Sequence, residues 1–558
     1  MTEQGGTNNS NYAGRWVARV RGQIIAQGGT PDQARRAAQS SRHKETPEIS
    51  FMPLSTPFSF SSLLDQVRDA VPDVELYLVG GAVRDAMLGR LSLDLDFVIP
   101  SGGIQLARRV ANALHADVFP LDEERDTGRV IVTLPDGTHE KMDFATYRGG
   151  NLEEDLRNRD FTINAMAVDV RNMSLHDPLG GANDLRAKRL RACTDTSLSD
   201  DPIRILRGIR MAAGFGLQIE PSTRKAMKSA ATEINRISPE RIRDELFKIL
   251  EGQQPAPSLR ALDMLGVLDL ILPELKSMKG VQQPEPHIYD VWEHTLQVIS
   301  ALESLLGSLR VGYDPEQTGD LLTGLLVMRL GRYREQFASH FAKRLNEDRD
   351  ALPLLFFSAL YHDVAKPSCM TRDENGRIRF WGHDERGAEM AAERARELRL
   401  SKDEIARVET VIRNHMRIHF HASRKEGEDK DPSRRAIYRF FKDSGESGID
   451  LILLSLADLR ATRGNNLTQE TWRAALDVCR IFLENFFEHP EEVISPPRLV
   501  DGNELMKELG LKPGPRVGDV LEAIREGQAT GKVSTREDAI AYARKWLNEN
   551  LEQGISGS

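Results

Sequence analysis

The segment YLVGGAVRDAMLGRLSLDLDFVI, residues 77–99, contains two strand-like runs joined by a glycine pair and a short helical stretch. The first run ends at Gly80 and Gly81, and the pattern predicts that a helix begins near Val83. Glycine lets the backbone approach a phosphate closely, and a helix N-terminus offers free N–H donors. The guanidinium of Arg84 could add a charge-assisted contact to a triphosphate. A glycine pair by itself is more often a plain turn.

Two aspartates on the second strand of this segment point to metal chemistry. Asp94 and Asp96 are two residues apart, so on a strand both side chains leave the same face. Like charges side by side are costly unless a cation neutralises them, as a pair of Mg²⁺ ions holding a nucleoside triphosphate would do. The alternative is a solvated edge strand or a pair of loop caps. Asp143, in the strand-like run KMDFATYR, adds the third carboxylate that a two-metal phosphoryl-transfer site needs.

The composition excludes several classes of protein. The 558 residues are enough for roughly three to four domains, and 40% hydrophobic residues exclude a wholly disordered chain. No run approaches the ~18 apolar residues of a membrane span, and the polar N-terminus lacks the features of a secretory signal. The three cysteines are far apart and form neither a zinc pattern nor a disulfide framework, so we expect a cytoplasmic setting.

Charge and periodicity vary along the chain. The net charge of −9 argues weakly against a nucleic-acid partner, but residues 181–250 carry 14 Lys and Arg against 9 Asp and Glu. Helix and strand signals alternate from about residue 63 to 180, and nearly every segment after about 184 is helical. N-terminal to these segments, WVARVRGQIIA predicts a hairpin and Thr30-Pro31 predicts the start of a short helix. We therefore expect residues 14–54 to form a small ββαβ-like module.

Several segments resemble, in the same order, the class II tRNA nucleotidyltransferase and poly(A) polymerase family, within the DNA polymerase β superfamily. The resemblance runs continuously from about residue 63 to 250, and its motifs are highly specific. The matching motifs are LVGGAVRD (78–85) followed by DLD (94–96), LEEDLRNRDFTINAMAVD (152–169), DPLGGANDL (177–185), DDPIRILRGIRMAAGFGL (200–217) and SPERIRDEL (238–246).

This resemblance implies a fold and a set of site residues. The fold would be an α+β nucleotidyltransferase head with a polymerase β-like mixed sheet, followed by an elongated all-α region. Asp94 and Asp96 would bind Mg²⁺, and Asp143 would complete the catalytic set and ready the RNA 3′ hydroxyl for attack on the α-phosphate. The nucleotide-binding residues that the resemblance implies are Gly80, Gly81, Arg84, Asp85, Arg159, Asp160, Asn164, Asp201, Arg204, Arg207 and Arg210.

The fourth motif supports a base-reading role through its residue types. Asp201 and Arg204 are three apart and would share one face of a helix. A carboxylate accepts from an amino group and a guanidinium donates to ring acceptors, so the pair could read the Watson–Crick edges of C and A. Arg207 and Arg210 continue that face and suit phosphate. A basic helix face with a surface ion pair is the alternative.

Two features depart from the family pattern. Asp200 stands where the family usually has Glu, and we expect this change to be tolerated because Asp201 carries the readout. In full CCA-adding enzymes, a long flexible loop precedes the LEEDL motif and helps to switch the enzyme from adding C to adding A. Here only residues 149–151 lie between Arg148 and that motif, which resembles the CC-adding members.

A second constellation, of histidines and aspartates, occupies residues 287–458. An adjacent His-Asp pair at a helix end can ligate a metal, and imidazole with carboxylate suits Mn, Fe, Ni, Zn or Co and also accepts Mg. The order of these residues resembles the HD phosphohydrolase superfamily, some members of which hydrolyse phosphate ends. An inert fold that only supports tRNA is the alternative. The resemblance implies His294, His362, Asp363 and Asp458 as core ligands, His383 and His415 for a second metal or a phosphate, and Lys366 for phosphate.

We therefore expect a template-independent nucleotidyltransferase that adds C, with A left open, to the 3′ end of tRNA from CTP and ATP. A poly(A) polymerase, an HD phosphohydrolase with a degenerate head, and a non-catalytic RNA-binding protein are the rivals, and the three intact aspartates speak against the last two. A membrane partner is not expected, and monomer and homodimer are equally open. The predicted domains are a disordered tail (1–13), the small module (14–54), the head (63–183), a helical neck that binds RNA (184–280), an HD domain (281–465) and a helical tail domain (466–558).

Overall fold

The chain forms two compact units, residues 1–237 and 238–558. The division falls inside the predicted neck, residues 184–280. The predicted disordered tail, residues 1–13, and the predicted helix start at Thr30 lie outside the described residues. The computed structural model describes residues 15–21, 23–28, 31–39, 46–52, 59–134, 138–314, 316, 319–346 and 349–555.

A three-stranded antiparallel sheet precedes the head in the first unit. Its elements are β1 (Arg15–Val20), β2 (Gln23–Gly28), α1 (Pro31–Gln39) and β3 (Glu48–Met52), and its strand order is β2-β1-β3. Ala34 and Ala38, one helical turn apart, are buried together with Val17 and Ala18 of β1. Small side chains therefore let α1 pack closely on the sheet.

The head contains a seven-stranded mixed sheet, which confirms the predicted α+β class. Its strands are β4 (Tyr77–Val79), β5 (Asp94–Ile99), β6 (Asp117–Asp122), β7 (Thr127–Thr133), β8 (His139–Thr146), β9 (Ala167–Asp169) and β10 (Leu175–His176). They lie in the order β10-β9-β4-β5-β8-β7-β6, with β5 parallel to β8 and antiparallel to β4. The parallel pair brings together two strands that are distant in sequence.

Helices surround this sheet and continue beyond it. They are α2 (Leu63–Ala70), α3 (Gly81–Met87), α4 (Gly103–Leu114), α5 (Leu152–Arg157), α6 (Gly181–Arg186), α7 (Ser197–Asp200), α8 (Arg204–Phe215) and α9 (Pro221–Ala230), with short 3₁₀ helices at Thr162–Asn164 and Ala231–Arg236. Two further strands, β11 (Arg189–Leu190) and β12 (Gln218–Ile219), pair in parallel on either side of α7 and α8 in sequence.

Alternation along β5 separates the main core of the head from the two aspartates. Leu95, Phe97 and Ile99 are buried in the main core of the head, to which α2 and α4 also contribute. The ring of Phe97 stacks on that of Phe144 in β8, with 4.8 Å between centroids. Asp94 and Asp96 alternate with these residues and therefore leave the opposite face.

The second unit is almost entirely helical, which confirms the predicted helical region after the head. Its helices are α10 (Pro239–Leu250), α11 (Pro255–Met264), α12 (Leu268–Ile271), α13 (Val291–Leu309), α14 (Leu321–Leu330), α15 (Arg334–Phe341), α16 (Leu352–Tyr361), α17 (His383–Glu397), α18 (Lys402–Asn414), α19 (Met416–Glu428), α20 (Arg434–Ser444), α21 (Gly448–Arg463), α22 (Gln469–Phe487), α23 (Gly502–Leu509), α24 (Pro515–Ala529) and α25 (Arg536–Ile555). A small antiparallel pair, β13 (Thr371–Arg372) and β14 (Ile378–Arg379), precedes α17.

Two helices form the centre of this unit. Residues 353–361 of α16 are all buried, and so are residues 448–458 of α21. Helices that are buried on every side over most of their length lie in the interior of a helical assembly. Among the described residues, no helix combines the length and the apolar character needed to cross a membrane.

Asp126 offers a test of how the head holds α4. Its carboxylate accepts hydrogen bonds from the backbone N–H groups of Gly102 (2.9 Å), Gly103 (2.8 Å) and Ile104 (3.0 Å) and from the hydroxyl of Thr146 (2.7 Å). We predict that Asp126→Ala lowers the free energy of unfolding by about 2 kcal/mol, because the helix start loses its acceptor. Asp126→Asn should cost less, since Asn keeps an oxygen acceptor and tolerates the left-handed φ of 47° at this position.

The same residue predicts a dependence on pH. Burial alone would raise the pKa of Asp126, but its hydrogen bonds from Thr146 and the start of α4 outweigh this effect and lower the pKa. The contribution to stability is therefore present at neutral pH and is lost as pH falls through the lowered pKa. Chemical denaturation between pH 7 and 3 should show a shallower loss of stability for Asp126→Asn than for the wild type. Parallel curves for the two proteins would contradict this assignment.

Candidate functional site

Three carboxylates stand side by side across the head sheet. In the parallel register of β5 and β8, Asp96 pairs with Asp143. Asp94 precedes Asp96 by two residues and leaves the same face of β5. The row continues to Arg129 of β7, which is the cross-strand partner of Asp143. The structure therefore brings the three predicted catalytic residues together on one face, and we call Asp94, Asp96 and Asp143 the carboxylate row.

The members of the carboxylate row differ in their partners. Arg129 donates from Nε to Oδ1 and from Nη2 to Oδ2 of Asp143, at 2.7 Å each. Within the described part of the chain, the carboxylates of Asp94 and Asp96 have no hydrogen-bond donor. Carboxylate oxygens are the ligands that Mg²⁺ prefers, so the row, with Asp94 and Asp96 lacking a donor among the described residues, fits a divalent cation.

The glycine turn lies against this row. Gly80 has a φ of 73°, in the left-handed region that favours glycine. A Cβ at this position would lie 3.3 Å from Oδ2 of Asp96 and 3.3 Å from Nη1 of Arg159. Helix α3 begins at Gly81, so its N-terminal N–H groups start one residue after this close approach. The missing side chain keeps the space above Asp96 open to a ligand.

Arg84, the predicted triphosphate contact, is held on three sides. Its Nε and Nη2 donate to the carboxylate of Asp85 at 2.9 and 3.0 Å, and its Nη1 donates to Oδ1 of Asn164 at 2.7 Å. The guanidinium also lies over the ring of Phe215, 4.3 Å from the centroid, which is a cation–π distance. Arg84 is therefore fixed in position by α3, the 3₁₀ helix and the end of α8.

Asp160 connects this arginine to α8. Its Oδ1 accepts from Nδ2 of Asn164 at 3.0 Å, and its Oδ2 accepts from Nε and Nη2 of Arg207 at 3.0 and 2.8 Å. Burial would raise the pKa of Asp160, but the Arg207 charge and the hydrogen bonds outweigh it and lower the pKa. We call Arg84, Asn164, Asp160 and Arg207 the arginine chain; it joins three separate motifs of the sequence.

The connection between β8 and α5 is short and hydrogen-bonded. It consists of residues 147–151. The N–H of Gly150 donates to Oε2 of Glu154 at 2.7 Å, and Oδ1 of Asn151 caps α5 by accepting from the N–H of Glu154 at 2.9 Å. The N–H of Arg148 donates to Asp155, whose other oxygen accepts from Arg159 at 2.9 Å. This connection is therefore tied to the helix that follows it.

The predicted base-reading residues lie close in sequence but not on one helix. Asp201 has extended backbone angles after α7, and α8 begins only at Arg204, so the prediction of a shared helix is wrong. The cause is Pro202, since the residue before a proline is disfavoured in helical conformation. Arg204, Arg207 and Arg210 do lie at three-residue spacing on α8, and each is partly exposed.

Arg204 makes contacts that the sequence analysis did not anticipate. Its Nη1 donates to the carbonyl of Arg159 at 3.1 Å and to the hydroxyl of Ser197 at 2.7 Å. Its Nη2 donates to the carbonyl of Asn158 at 2.8 Å. In this structure the guanidinium therefore organises the turn after α5. The predicted contact of Arg204 with a nucleotide base stays a prediction.

The second unit gathers the six predicted histidine and aspartate ligands into one buried cluster. They come from α13, the end of α16, the start of α17, the α18–α19 junction and α21. Two groups of candidate ligand atoms form, each within 4.8 Å. Asp363 is assigned to one group by its Oδ1, but its Oδ2 lies near His294 and His362, so the predicted core set of four stays a prediction. One group is His294, His362 and Asp458, and the other is Asp363, His383 and His415.

Asp363 lies between the two groups. Its Oδ2 is 3.2 Å from Nε2 of His362 and 3.5 Å from Nε2 of His294, and its Oδ1 is 3.6 Å from Nε2 of His383. Among the described residues, Nε2 of His294 and Nε2 of His362 are buried without a hydrogen-bond partner, and Oδ2 of Asp363 has the Lys366 ammonium 2.7 Å away. Buried polar atoms without partners are costly unless a ligand satisfies them. The cluster therefore fits one or two metal ions.

The surroundings of the cluster set the protonation states of several of its residues. Burial, with the neighbouring His383 and His362, lowers the pKa of His415 to about 3, and burial also lowers the pKa of His294. Both imidazoles are therefore neutral at pH 7, the form that ligates a metal. Burial alone would raise the pKa of Asp363, but His362 and Lys366 outweigh it and keep this carboxyl ionised.

Sequence reasoning missed two residues near these sites. His419 lies one helical turn after His415, and its Nε2 is 2.8 Å from Oδ2 of Asp458. That spacing was a usable signal. Arg129 lies beside Asp143 only through the β7–β8 register, and no local pattern in the sequence indicates it. Lys366, which was predicted to contact phosphate, lies with its Nζ 2.7 Å from Oδ2 of Asp363.

Comparison with known proteins decides the family. The family model "Poly A polymerase head domain" matches residues 76–191, and a model of tRNA nucleotidyltransferase domain 2 matches residues 388–543. The A-adding tRNA nucleotidyltransferase of Deinococcus radiodurans is 34% identical over 481 residues, which cover 85% of this chain and 95% of that protein. The chain belongs to the tRNA nucleotidyltransferase family. Membership confirms the predicted enzyme class.

Other members of the family are similarly related. The CC-adding tRNA nucleotidyltransferase of Thermus thermophilus is 33% identical over 488 residues, covering 86% of this chain and 94% of that protein. A solved structure, a CCA-adding enzyme in complex with CTP, matches 87% of this chain and 94% of its own with a TM-score of 0.54 at 22% identity. The family fold therefore extends over both units of the chain.

The arginine chain can be tested through Asp160. We predict that Asp160→Asn lowers the free energy of unfolding by about 2–4 kcal/mol, because Arg207 loses the carboxylate that neutralises it. Urea denaturation gives this value. The control is Glu153→Gln, which breaks the exposed 2.7 Å pair with Arg157 on α5 and should cost less than about 0.5 kcal/mol. Equal effects of the two substitutions would mean that Asp160 is no more than a surface charge.

Proposed function

We propose that this enzyme adds cytidines from CTP to the 3′ end of tRNA and stops before the terminal adenosine. Sequence identity does not decide which nucleotides are added, since relatives named A-adding and CC-adding are 34% and 33% identical to this chain. The observation that carries the proposal is the short connection at residues 147–151, fixed to α5 by its hydrogen bonds. A tied connection of this length has no long flexible loop with which to reshape the nucleotide site for ATP.

The carboxylate row is the proposed catalytic centre. Asp94 and Asp96, with Asp143, would hold Mg²⁺, which supplies charge stabilisation to the phosphates when it is bound. Asp143 would accept a hydrogen bond from the RNA 3′ hydroxyl. Gly80 leaves space above Asp96, and the N–H groups at the start of α3 offer donors for phosphate oxygens. These residues bind and orient the reacting groups.

The cationic residues are proposed to bind the nucleotide from positions that are already fixed. Arg84 and Arg207 are joined through Asn164 and Asp160, and Arg159 is held by Asp155. Side chains held before binding lose less conformational entropy when the nucleotide arrives. We also propose that the enzyme is cytoplasmic and that its domains have the boundaries predicted from the sequence.

The nucleotide choice has a direct test. Full-length protein, Mg²⁺ and labelled CTP or ATP are incubated with tRNAs ending at the discriminator base, at C or at CC. We expect rapid addition of two cytidines to the first tRNA and little addition of A to the third. Asp96→Ala, which removes a central member of the carboxylate row, is the matched inactive control and should abolish both reactions.

Two results would contradict this choice. Rapid, stoichiometric addition of A to the tRNA ending in CC would identify full CCA addition or A addition. Long A tails on unrelated RNA would identify a poly(A) polymerase. Normal activity of Asp96→Ala would instead remove the carboxylate row from the mechanism.

A second activity is proposed for the histidine–aspartate cluster, a metal-dependent hydrolysis of phosphate esters. The support is the set of buried, unpartnered ligand atoms and the position of Lys366, whose ammonium beside Asp363 suits a phosphate. Nitrogen and oxygen donors in this mixture favour Mn, Fe, Co, Ni or Zn and also accept Mg. Such a site is chemically distinct from the all-oxygen carboxylate row.

His362→Ala tests this second activity. Because the two sites use different ligands, we predict that the variant loses hydrolysis of 2′,3′-cyclic and 2′-phosphate nucleotides in the presence of Mn²⁺ or Ni²⁺ and keeps cytidine addition. Metal content after dialysis, measured by mass spectrometry, should fall in parallel. His139→Ala, which changes an exposed histidine of β8, is the control and should alter neither activity. Unchanged hydrolysis in His362→Ala would remove the cluster from this reaction.

A further inference from the structure

Arg129 is placed on the carboxylate row by the sheet itself. It pairs with Asp143 across the antiparallel β7–β8 ladder, so the two side chains leave the same face as neighbours. The contact is bidentate: Nε and Nη2 of Arg129 each donate to a different oxygen of Asp143, at 2.7 Å. This two-fold, bidentate contact has the geometry of the strongest arginine–carboxylate pairs. It therefore occupies both oxygens of one proposed metal ligand.

The charge of Arg129 also acts on the rest of the row. Its hydrogen bond to Asp143 raises its own pKa, and the charges of Asp143, Asp94 and Asp96 raise it further. The other nearby arginine, Arg159, hydrogen-bonds to Asp155 instead. Among the described residues, Arg129 is thus the cation bonded directly to the row. Three carboxylates with one bonded cation leave negative charge for a further cation.

We infer that Arg129 is a resident counter-cation, a positioning residue that competes with a divalent cation for Asp143. This inference rests on the proposed metal-binding role of the row. A metal that takes an oxygen of Asp143 must displace at least one of the two hydrogen bonds from Arg129, and two cations at one carboxylate repel each other. Arg129 therefore holds the row together without metal and lowers the affinity for the metal.

The test uses Mg²⁺ alone, without nucleotide, and follows the unfolding temperature of the full chain. Stabilisation that rises with Mg²⁺ concentration gives an apparent Kd, because a ligand that binds the folded state raises its stability. Asp94→Asn is the reference variant. The part of the Mg²⁺ stabilisation that this substitution removes is due to Mg²⁺ bound at the carboxylate row. We expect Arg129→Gln to lower the Kd by about tenfold, in line with the loss of a like charge a few ångströms away. Without Mg²⁺ it should unfold at a lower temperature than the wild type.

The control is Arg125→Gln, which removes a neighbouring arginine paired at 3.7 Å with Asp122, outside the row. It should leave the Kd unchanged. Arg129→Lys keeps the charge but not the two-fold contact, so its Kd should fall by a smaller factor; this variant also decides the matter if Arg129→Gln does not fold.

The outcomes separate the inference from the function on which it rests. An unchanged or weaker Mg²⁺ affinity in folded Arg129→Gln, or in Arg129→Lys where the first does not fold, would overturn the competition. If Asp94→Asn removes no Mg²⁺ effect, the row itself is not the metal site, and the proposed catalytic centre fails together with the inference. A loss of the effect in Asp94→Asn with an unchanged Arg129 variant would refute only the inference.

Discussion

The register of β5 against β8 is the constraint on which the head depends. A slip of one residue would turn Asp143 to the opposite face from Asp96 and divide the carboxylate row. The core on the other face prevents such a slip, because Phe97 stacks on Phe144 at 4.8 Å and both are fully buried. Apolar packing thus offsets the repulsion within a row of like charges, and the separate register of β7 against β8 places Arg129 beside that row.

The arginines proposed to bind the nucleotide are already paired within the head. Arg84 and Arg207 are separated by more than a hundred residues in sequence, yet Asn164 and Asp160 join them by hydrogen bonds. Asp160 is buried, and the Arg207 charge together with its hydrogen bonds keeps it ionised. A phosphate that binds these arginines has to compete with carboxylates already in place. Pairing with carboxylates would therefore weaken phosphate binding by the two arginines but keep their guanidinium groups in a fixed geometry.

Local patterns in the sequence predict much of this arrangement, and register supplies the rest. The two-residue spacing of Asp94 and Asp96 is enough to place them on one face, and the order of the histidines and aspartates anticipates the cluster. Arg129 could not be predicted, because its neighbour across the sheet depends on how β7 and β8 pair. Asp201 was predicted on a helix although Pro202 argues against it. The division of the cluster depends on which oxygen of Asp363 faces which histidine, and no spacing contains that information.

The two candidate sites differ in their donor atoms, and this difference has a functional consequence. The carboxylate row offers only oxygen, which favours Mg²⁺. The cluster adds imidazole nitrogen, and with the pKa of His415 lowered to about 3 its ring is neutral and ready to ligate well below pH 7. The donor atoms therefore favour different metals at the two candidate sites. The two proposed activities would therefore not share an ion, and each should be removable by mutation without loss of the other.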